Sequence, residues 1–234
     1  MTPREFRDRL SRRARRANAI VSSELATALG TYFALLARWN VKINLTALPL
    51  DPPSDDTFDR LLVEPLAAAR HVDTGPQVWF DLGSGGGSPA IPLKLARPAL
   101  RLTMVESKTR KAAFLRECVR TLALAATTVE NRRFEDLAAA DECRDSAQLV
   151  TVRAVRPVPG LFKVAAELLS NSGRLMLFGQ RAKSHAPTGR NRRGQFSAAA
   201  FGLDYEETVP LVDGARSELA IYRRVFHVER GRGT

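Results

Sequence analysis

The sequence predicts an α/β fold in which a doubly wound, mostly parallel sheet follows a small helical N-terminal extension. Apolar residues up to about position 74 recur at helical spacing. From Gly75-Pro76 onward, short apolar strands alternate with helical stretches. A glycine-rich turn, residues 83–87, joins the first of those strands to a helix. The expected division is a helical extension over 1–74 and an α/β domain over 75–234.

Residues 2–16 hold seven arginines against Glu5 and Asp8, and predict a helix charged over most of its surface. Ser22 and Ser23 are N-cap candidates for a second helix, in which Leu25, Ala28, Leu29, Tyr32, Phe33, Leu36 and Trp39 line a core face. The stretch from Pro49 to Asp56 is a loop, and Phe58 to Arg70 reads as a further helix. Strands are expected near 77–82, 101–106, 126–131, 148–153 and 173–178, with helices near 89–97, 109–124, 134–140 and 159–169. The segment from Gly179 to Gln195 carries five basic residues and no acid, and reads as a loop. Two last apolar runs, 205–212 and 217–226, flank Asp213-Gly214, a turn signal that makes them a terminal hairpin.

The 234 residues are 44% hydrophobic and 26% charged, which excludes disordered and fibrous classes. No apolar run approaches the ~20 residues that cross a bilayer, so no membrane association is expected. No apolar segment follows the twin arginines, so a cytoplasmic location is expected. Cys118 and Cys143 make no disulfide framework and no metal-spaced cluster, and read as small hydrophobes. His71, His185 and His227 are scattered, and no metal is assigned. Thirty arginines and six lysines give a net charge of +11, which suits a polyanionic partner, nucleic acid before membrane.

Strand Val78-Trp79-Phe80 runs into Asp81 and then the glycine turn, where backbone can approach a ligand closely. The next strand ends in Glu106, 25 residues after Asp81, where a carboxylate can accept both hydroxyls of a ribose. These features fit NAD or S-adenosylmethionine. The pattern D-x-G-x-G-x-G favours the second, because Asp81 suits a ligand with ammonium and sulfonium charges and would face a pyrophosphate with like charge.

WNVKINLTAL (39–48), DLGSGGGSPAIPLKLARP (81–98), LTMVESKTRKAAFLRECVRTLAL (102–124), VRAV (152–155) and GRLMLFGQ (173–180) follow one another in an order and spacing that resembles the small-subunit (16S) ribosomal RNA guanine-N7 methyltransferase G family, also called glucose-inhibited division protein B. The resemblance covers roughly 30–225. It implies a seven-stranded Rossmann-like methyltransferase sheet with a final antiparallel hairpin. It also implies an enzyme that moves methyl from S-adenosylmethionine to N7 of a guanine in 16S ribosomal RNA, free or in the small ribosomal subunit, and we expect the chain to act as a monomer. By position, Gly83 and Ser88 would line the methionine side of the cofactor loop, and Asp81 and Gly85 are expected among the cofactor-binding residues. Phe134 and Glu135 would contact the adenine, and Arg153 matches the family's arginine at the end of the fourth strand, where it could hold the cofactor carboxylate or a phosphate.

The chain departs from the family pattern at several places. The usual R-H-x-x-D-S-L is Arg60-Leu61-Leu62-Val63-Glu64-Pro65-Leu66, Ser88 replaces a bulky apolar residue, Gln148 takes a common Asp position, and no lysine precedes Gly179.

Guanine N7 has an in-plane lone pair and needs no general base, so alignment and proximity suffice. Cys118 lies on the wrong element to act as a nucleophile toward cytosine C5. Asp51-Pro52-Pro53-Ser54 copies an amino-methyltransferase motif in text only, since Ser54 cannot stack on a base. Arg181, Lys183, Arg190, Arg192 and Arg193, with the N-terminal arginines, are candidates for RNA phosphate contacts. A small-molecule or protein methyltransferase and an inactive RNA-binding paralogue share the fold. The charge of +11 argues against the first, and retention of Asp81, Gly83, Gly85 and Glu106 against the second.

Overall fold

The structure, a computed structural model, describes residues 1–155, 158–180, 197–214 and 217–225. The loop cations Arg181, Lys183, Arg190, Arg192 and Arg193, and His185 and His227, lie outside the described residues.

Helices α1 (Pro3–Arg15) and α2 (Ser23–Asn40) open the chain. Thr2 and Glu5 close a reciprocal capping box on α1, and Ser22 caps α2 through Leu25 N. The basic first segment is anchored more firmly than its composition suggests, because Phe6, Leu10 and Ala14 recur at i, i+4, i+8 and are buried. Three of its arginines are also engaged beyond α1, Arg16 by donating to Asp213 O at 2.7 Å. Arg9 pairs with Asp55, and Arg13 with Asp55 and Asp59. Arg4, Arg7, Arg12 and Arg15 stay exposed on the outer face of α1.

The expected third helix is a composite. It runs α3 (Asp55–Phe58), a π-helical turn Asp59–Val63, α4 (Glu64–Ala68) and a 3-10 turn Ala69–His71. Then come β1 (Val78–Leu82), α5 (Ala90–Ala96), β2 (Arg101–Val105), α6 (Thr109–Thr121), β3 (Thr127–Glu130), α7 (Phe134–Ala138), β4 (Ala147–Arg153), α8 (Pro159–Leu168), β5 (Leu169–Gln180), β6 (Leu203–Pro210) and β7 (Ser217–Arg224). They form one seven-stranded sheet in the order β3-β2-β1-β4-β5-β7-β6. The first five strands are parallel, and β7 runs antiparallel between β5 and β6.

Alternation along β1 assigns the faces of the sheet. Trp79 belongs to a core shared with α1, α2, α5 and α6, while Phe80 and Leu82 pack with α7 and α8 on the other side. The first core runs from Phe6 to Ile221 without a break at residue 74. Gln148, at the family's usual Asp position, ties strand starts together, accepting from Val78 N at 2.8 Å and donating to the Ser170 hydroxyl. Among the described residues no helix is long and apolar enough to cross a membrane, and no group of three His, Cys, Asp or Glu gathers as metal ligands. Cys118 is buried, which pushes its thiol up to about 12, and Cys143 is half-buried.

Candidate active site

In an open parallel sheet, ligands bind beyond the carboxyl ends of the strands. Asp81, the glycine turn, Glu106 and Arg153 all sit there. Asp81 is the register partner of Thr151, and both face the α1–α2 side. Trp79 Nε1 donates to Thr151 Oγ1 at 2.8 Å, and that hydroxyl in turn donates to Asp81 Oδ1 at 2.5 Å. The single threonine proton thus has a defined direction. Asp81 is 1% exposed, and burial pushes its carboxyl up to about 6, against the opposing hydrogen bonds and the Arg153 charge.

The glycine turn is gripped from several sides. Glu106 accepts from Gly85 N at 2.9 Å through one oxygen and from Lys108 N at 2.8 Å through the other. Tyr32 is fully buried on α2 and donates its hydroxyl to Gly86 O at 2.6 Å. At Gly83, φ is +75°, and an added Cβ would lie 2.8 Å from Val155 Cγ2, so only glycine lets the turn pass β4. At Gly86, a Cβ would meet the Leu45 carbonyl at 3.1 Å. That carbonyl belongs to the turn after α2, where Asn40 Oδ1 accepts from Leu45 N and Thr46 N, both at 2.9 Å. The W-N-x-x-x-N-L-T block is thereby a clasp on the loop.

Ser88 and Arg153 meet the π-helical turn. Ser88 Oγ donates to Leu61 O at 2.9 Å, and Arg153 Nη1 donates to Arg60 O at 2.6 Å. Single π turns recur at functional sites. Arg153 Nη2 lies 2.8 Å from Glu64 Oε2, and the guanidinium stacks 4.7 Å above the Phe178 ring. Burial draws this guanidinium below its ordinary value, and Glu64 opposes that. Phe134 and Glu135 open α7 just after β3, with Phe134 half-buried against the second core and Glu135 exposed.

Asp81, Gly83, Gly85, Ser88, Glu106 and Arg153 therefore converge at one strand edge. Sequence reasoning missed Tyr32, Thr151, Arg60 and Glu64. A tyrosine on a fully buried helical stripe must find a partner for its hydroxyl, which was the available signal for Tyr32. The substituted R-H-x-x-D-S-L block was the signal for Glu64.

The family described as rRNA small subunit methyltransferase G matches residues 26–198. The chain is 37% identical over 175 residues to the ribosomal RNA small subunit methyltransferase G of Paracoccus denitrificans, covering 73% of this chain and 80% of that protein. To the protein of the same name from Chloroflexus aggregans it is 36% identical over 172 residues, covering 74% and 67%. A solved geranyl diphosphate C-methyltransferase from Streptomyces coelicolor, in complex with S-adenosyl-L-homocysteine, shares the fold at a TM-score of 0.51 and 16% identity, covering 68% of this chain and 76% of that one. The chain belongs to the rRNA small subunit methyltransferase G family.

Proposed function

We propose that this S-adenosylmethionine-dependent methyltransferase modifies N7 of a guanine in small-subunit ribosomal RNA, with a single chain as the acting unit and the cytoplasm as its location. The observation that carries the reading is a glycine turn pinned between the Glu106 carboxylate and the Tyr32 hydroxyl, in a chain matching that family over 26–198. S-adenosylmethionine, when bound, supplies an electrophilic methyl group on a sulfonium. Each Glu106 oxygen already holds one backbone N–H and keeps a lone pair for the ribose hydroxyls. Gly83 and Gly85 give the loop its close approach, and Ser88 and Arg153 lie on the methionine side. Phe134 and Glu135, opening α7 just after β3, would contact the adenine. Asp81 lies beneath the loop, where ionisation complements the ligand's positive charge.

The target needs no deprotonation, because guanine N7 presents its lone pair in the base plane. The N–C bond forms as the C–S bond breaks. The electron pair stays on sulfur and the positive charge passes to the base. The protein's work is alignment of an unstacked guanine with the methyl group, and unpaired bases are what sequence-specific RNA recognition reaches.

The test is transfer of labelled methyl from S-adenosylmethionine to small-subunit RNA and to intact small subunits, followed by nucleoside mass spectrometry. N7-methylguanine is the expected product. Label in a different nucleoside, or none in either substrate, overturns the reading.

A further inference from the structure

Four cations without a carboxylate partner gather beside the glycine turn. Residues 39–50 carry Lys42 and no acid, and residues 107–116 carry Lys108, Arg110, Lys111 and Arg116 and no acid. Lys42, Lys108 and Arg110 are exposed, and Lys111 is half-buried. Among the described residues none of these four lies within ion-pair distance of a carboxylate, whereas Arg9, Arg13, Arg120 and Arg153 each do.

Packing brings the two segments together. Trp39 on α2 meets Phe114 on α6 with ring centroids 5.8 Å apart. Lys42 stands three residues beyond Trp39 and Lys111 three before Phe114, about one helical turn from the contact on each helix. Both steps lead toward the carboxyl end of the sheet, since the chain after α2 runs to the Leu45 carbonyl at Gly86 and α6 starts where β2 ends. Lys108 is tied there directly, its backbone N–H donating to one Glu106 oxygen while Gly85 N donates to the other. The four cations thus form a basic shelf on the helices that flank the cofactor turn.

The helix dipole works against this placement. α6 opens on Lys108 with no side-chain cap and no acid in its first turn, so three cations meet the positive end of the helix. Glu106, the acid just before them, is 7% exposed and has both oxygens engaged by backbone. Residues set against a local preference are expected at functional positions, here one where a bound anion offsets the repulsion. S-adenosylmethionine carries no phosphate, so the cofactor does not call for this charge. Spread over two helices, it suits a run of phosphates rather than a single anion.

We infer that Lys42, Lys108, Arg110 and Lys111 hold phosphates of the RNA strand next to the target guanine, on the side of the cofactor turn formed by α2 and α6. The inference rests on the RNA reading above and gives that substrate a surface on the protein. Contacts of this kind set the position of a strand without reading its sequence.

The slope of log affinity against log salt counts the contacts. With small-subunit RNA, replacing all four residues by Gln should lower that slope by about 3, at ~0.7 per contact on a single strand. Arg101→Gln, exposed at the amino end of β2, should leave the slope as it is. Calorimetry with S-adenosylhomocysteine checks that the quadruple variant is folded. An unchanged slope in that folded variant, or a comparable fall in Arg101→Gln, overturns the shelf. If the quadruple variant does not fold, the wild-type protein carries the test through lysine acetylation read by peptide mass spectrometry. Bound RNA should shield Lys42, Lys108 and Lys111 and leave Lys163, 65% exposed on α8, reactive. Equal labelling of the three with and without RNA overturns the shelf as well. Methyl transfer to RNA by the wild type alongside either negative result removes the shelf and keeps the RNA reading. Absence of both RNA binding and transfer in the wild type removes the RNA reading, and the shelf with it.

Discussion

At the carboxyl ends of β1, β2 and β4 the charged side chains are buried, and at the amino ends of the same sheet they lie open to solvent. Asp81, Glu106 and Glu64 are 1%, 7% and 2% exposed. At the far end Arg174 and Arg223 share the Glu206 carboxylate with side chains 33%, 38% and 25% exposed. They border a cavity of about 260 Å3 that Gln77, Gln148 and His71 also line. An exposed pair gains little and risks little, because water screens it and replaces either partner. A buried charge is stable only where a partner, a hydrogen bond or a ligand offsets its lost hydration. The cavity therefore says less about function than the buried charges do.

Removing one member of a buried pair should have the largest effect. Arg153→Ala strands the Glu64 carboxylate, and a loss of about 3–5 kcal/mol is expected, read as a lower denaturant midpoint at unchanged slope. Replacing Arg153 by Met together with Glu64 by Leu should return much of that stability, since apolar packing substitutes for a buried pair. A loss under about 1 kcal/mol for Arg153→Ala would mean that this end is as well hydrated as the other, and the contrast would fail.

Asp81 sharpens the same contrast through pH. Its carboxyl rises from 3.8 to about 6 on folding, so between those values the native state holds a proton that the unfolded chain has lost. Stability from this group is full below about pH 4 and is lost as pH climbs through 6, by up to about 3 kcal/mol in total. Asp81→Asn should flatten that slope in a titration of denaturant midpoints. A ligand bearing positive charge favours the ionised form, so S-adenosylmethionine should bind more tightly as pH rises through about 6 and release a proton on binding below it. Calorimetry in buffers of different ionisation heat counts that proton, and an unchanged count in Asp81→Asn would remove Asp81 from the linkage.

The sheet was legible because its signals are local. Strand and helix periods, the glycine turn and the Asp213-Gly214 turn each act within a few residues, so β1, β2 and β4 lie where alternation places them, and Ser22 caps α2 as its residue type suggests. Asp81 and Glu106 were legible for the same reason, being strand-end residues. Glu64 and Tyr32 were not. Arg153 bonds a carbonyl 93 positions earlier in the chain, and Tyr32 reaches a glycine carbonyl 54 positions later, separations that no periodicity encodes. Nothing in Asp59-Arg60-Leu61-Leu62-Val63 marks a π turn. The sequence predicts a first helix charged over most of its surface, yet the turn spacing of Arg9 and Arg13 puts both against the acids of α3 and the π turn, a tertiary register invisible from composition.

The smallest expected effect lies at the open end. Arg223→Ala removes one of two guanidiniums on Glu206, leaves Arg174 in place, and exposes no buried charge. An exposed pair of this kind contributes about 0.2–1 kcal/mol, so stability should fall by no more than that. Five strand residues separate this end from the glycine turn, roughly 16 Å at the strand rise, so S-adenosylhomocysteine affinity should be unaltered. RNA affinity is the more searching measurement. If the substrate touches only the carboxyl end of the sheet, the dependence of log affinity on log salt keeps its slope in Arg223→Ala. A fall of about 0.7 in that slope would count one lost phosphate contact on single-stranded RNA. It would carry the RNA surface down to the far end of the strands and break the division between a buried, working end and an open, passive one.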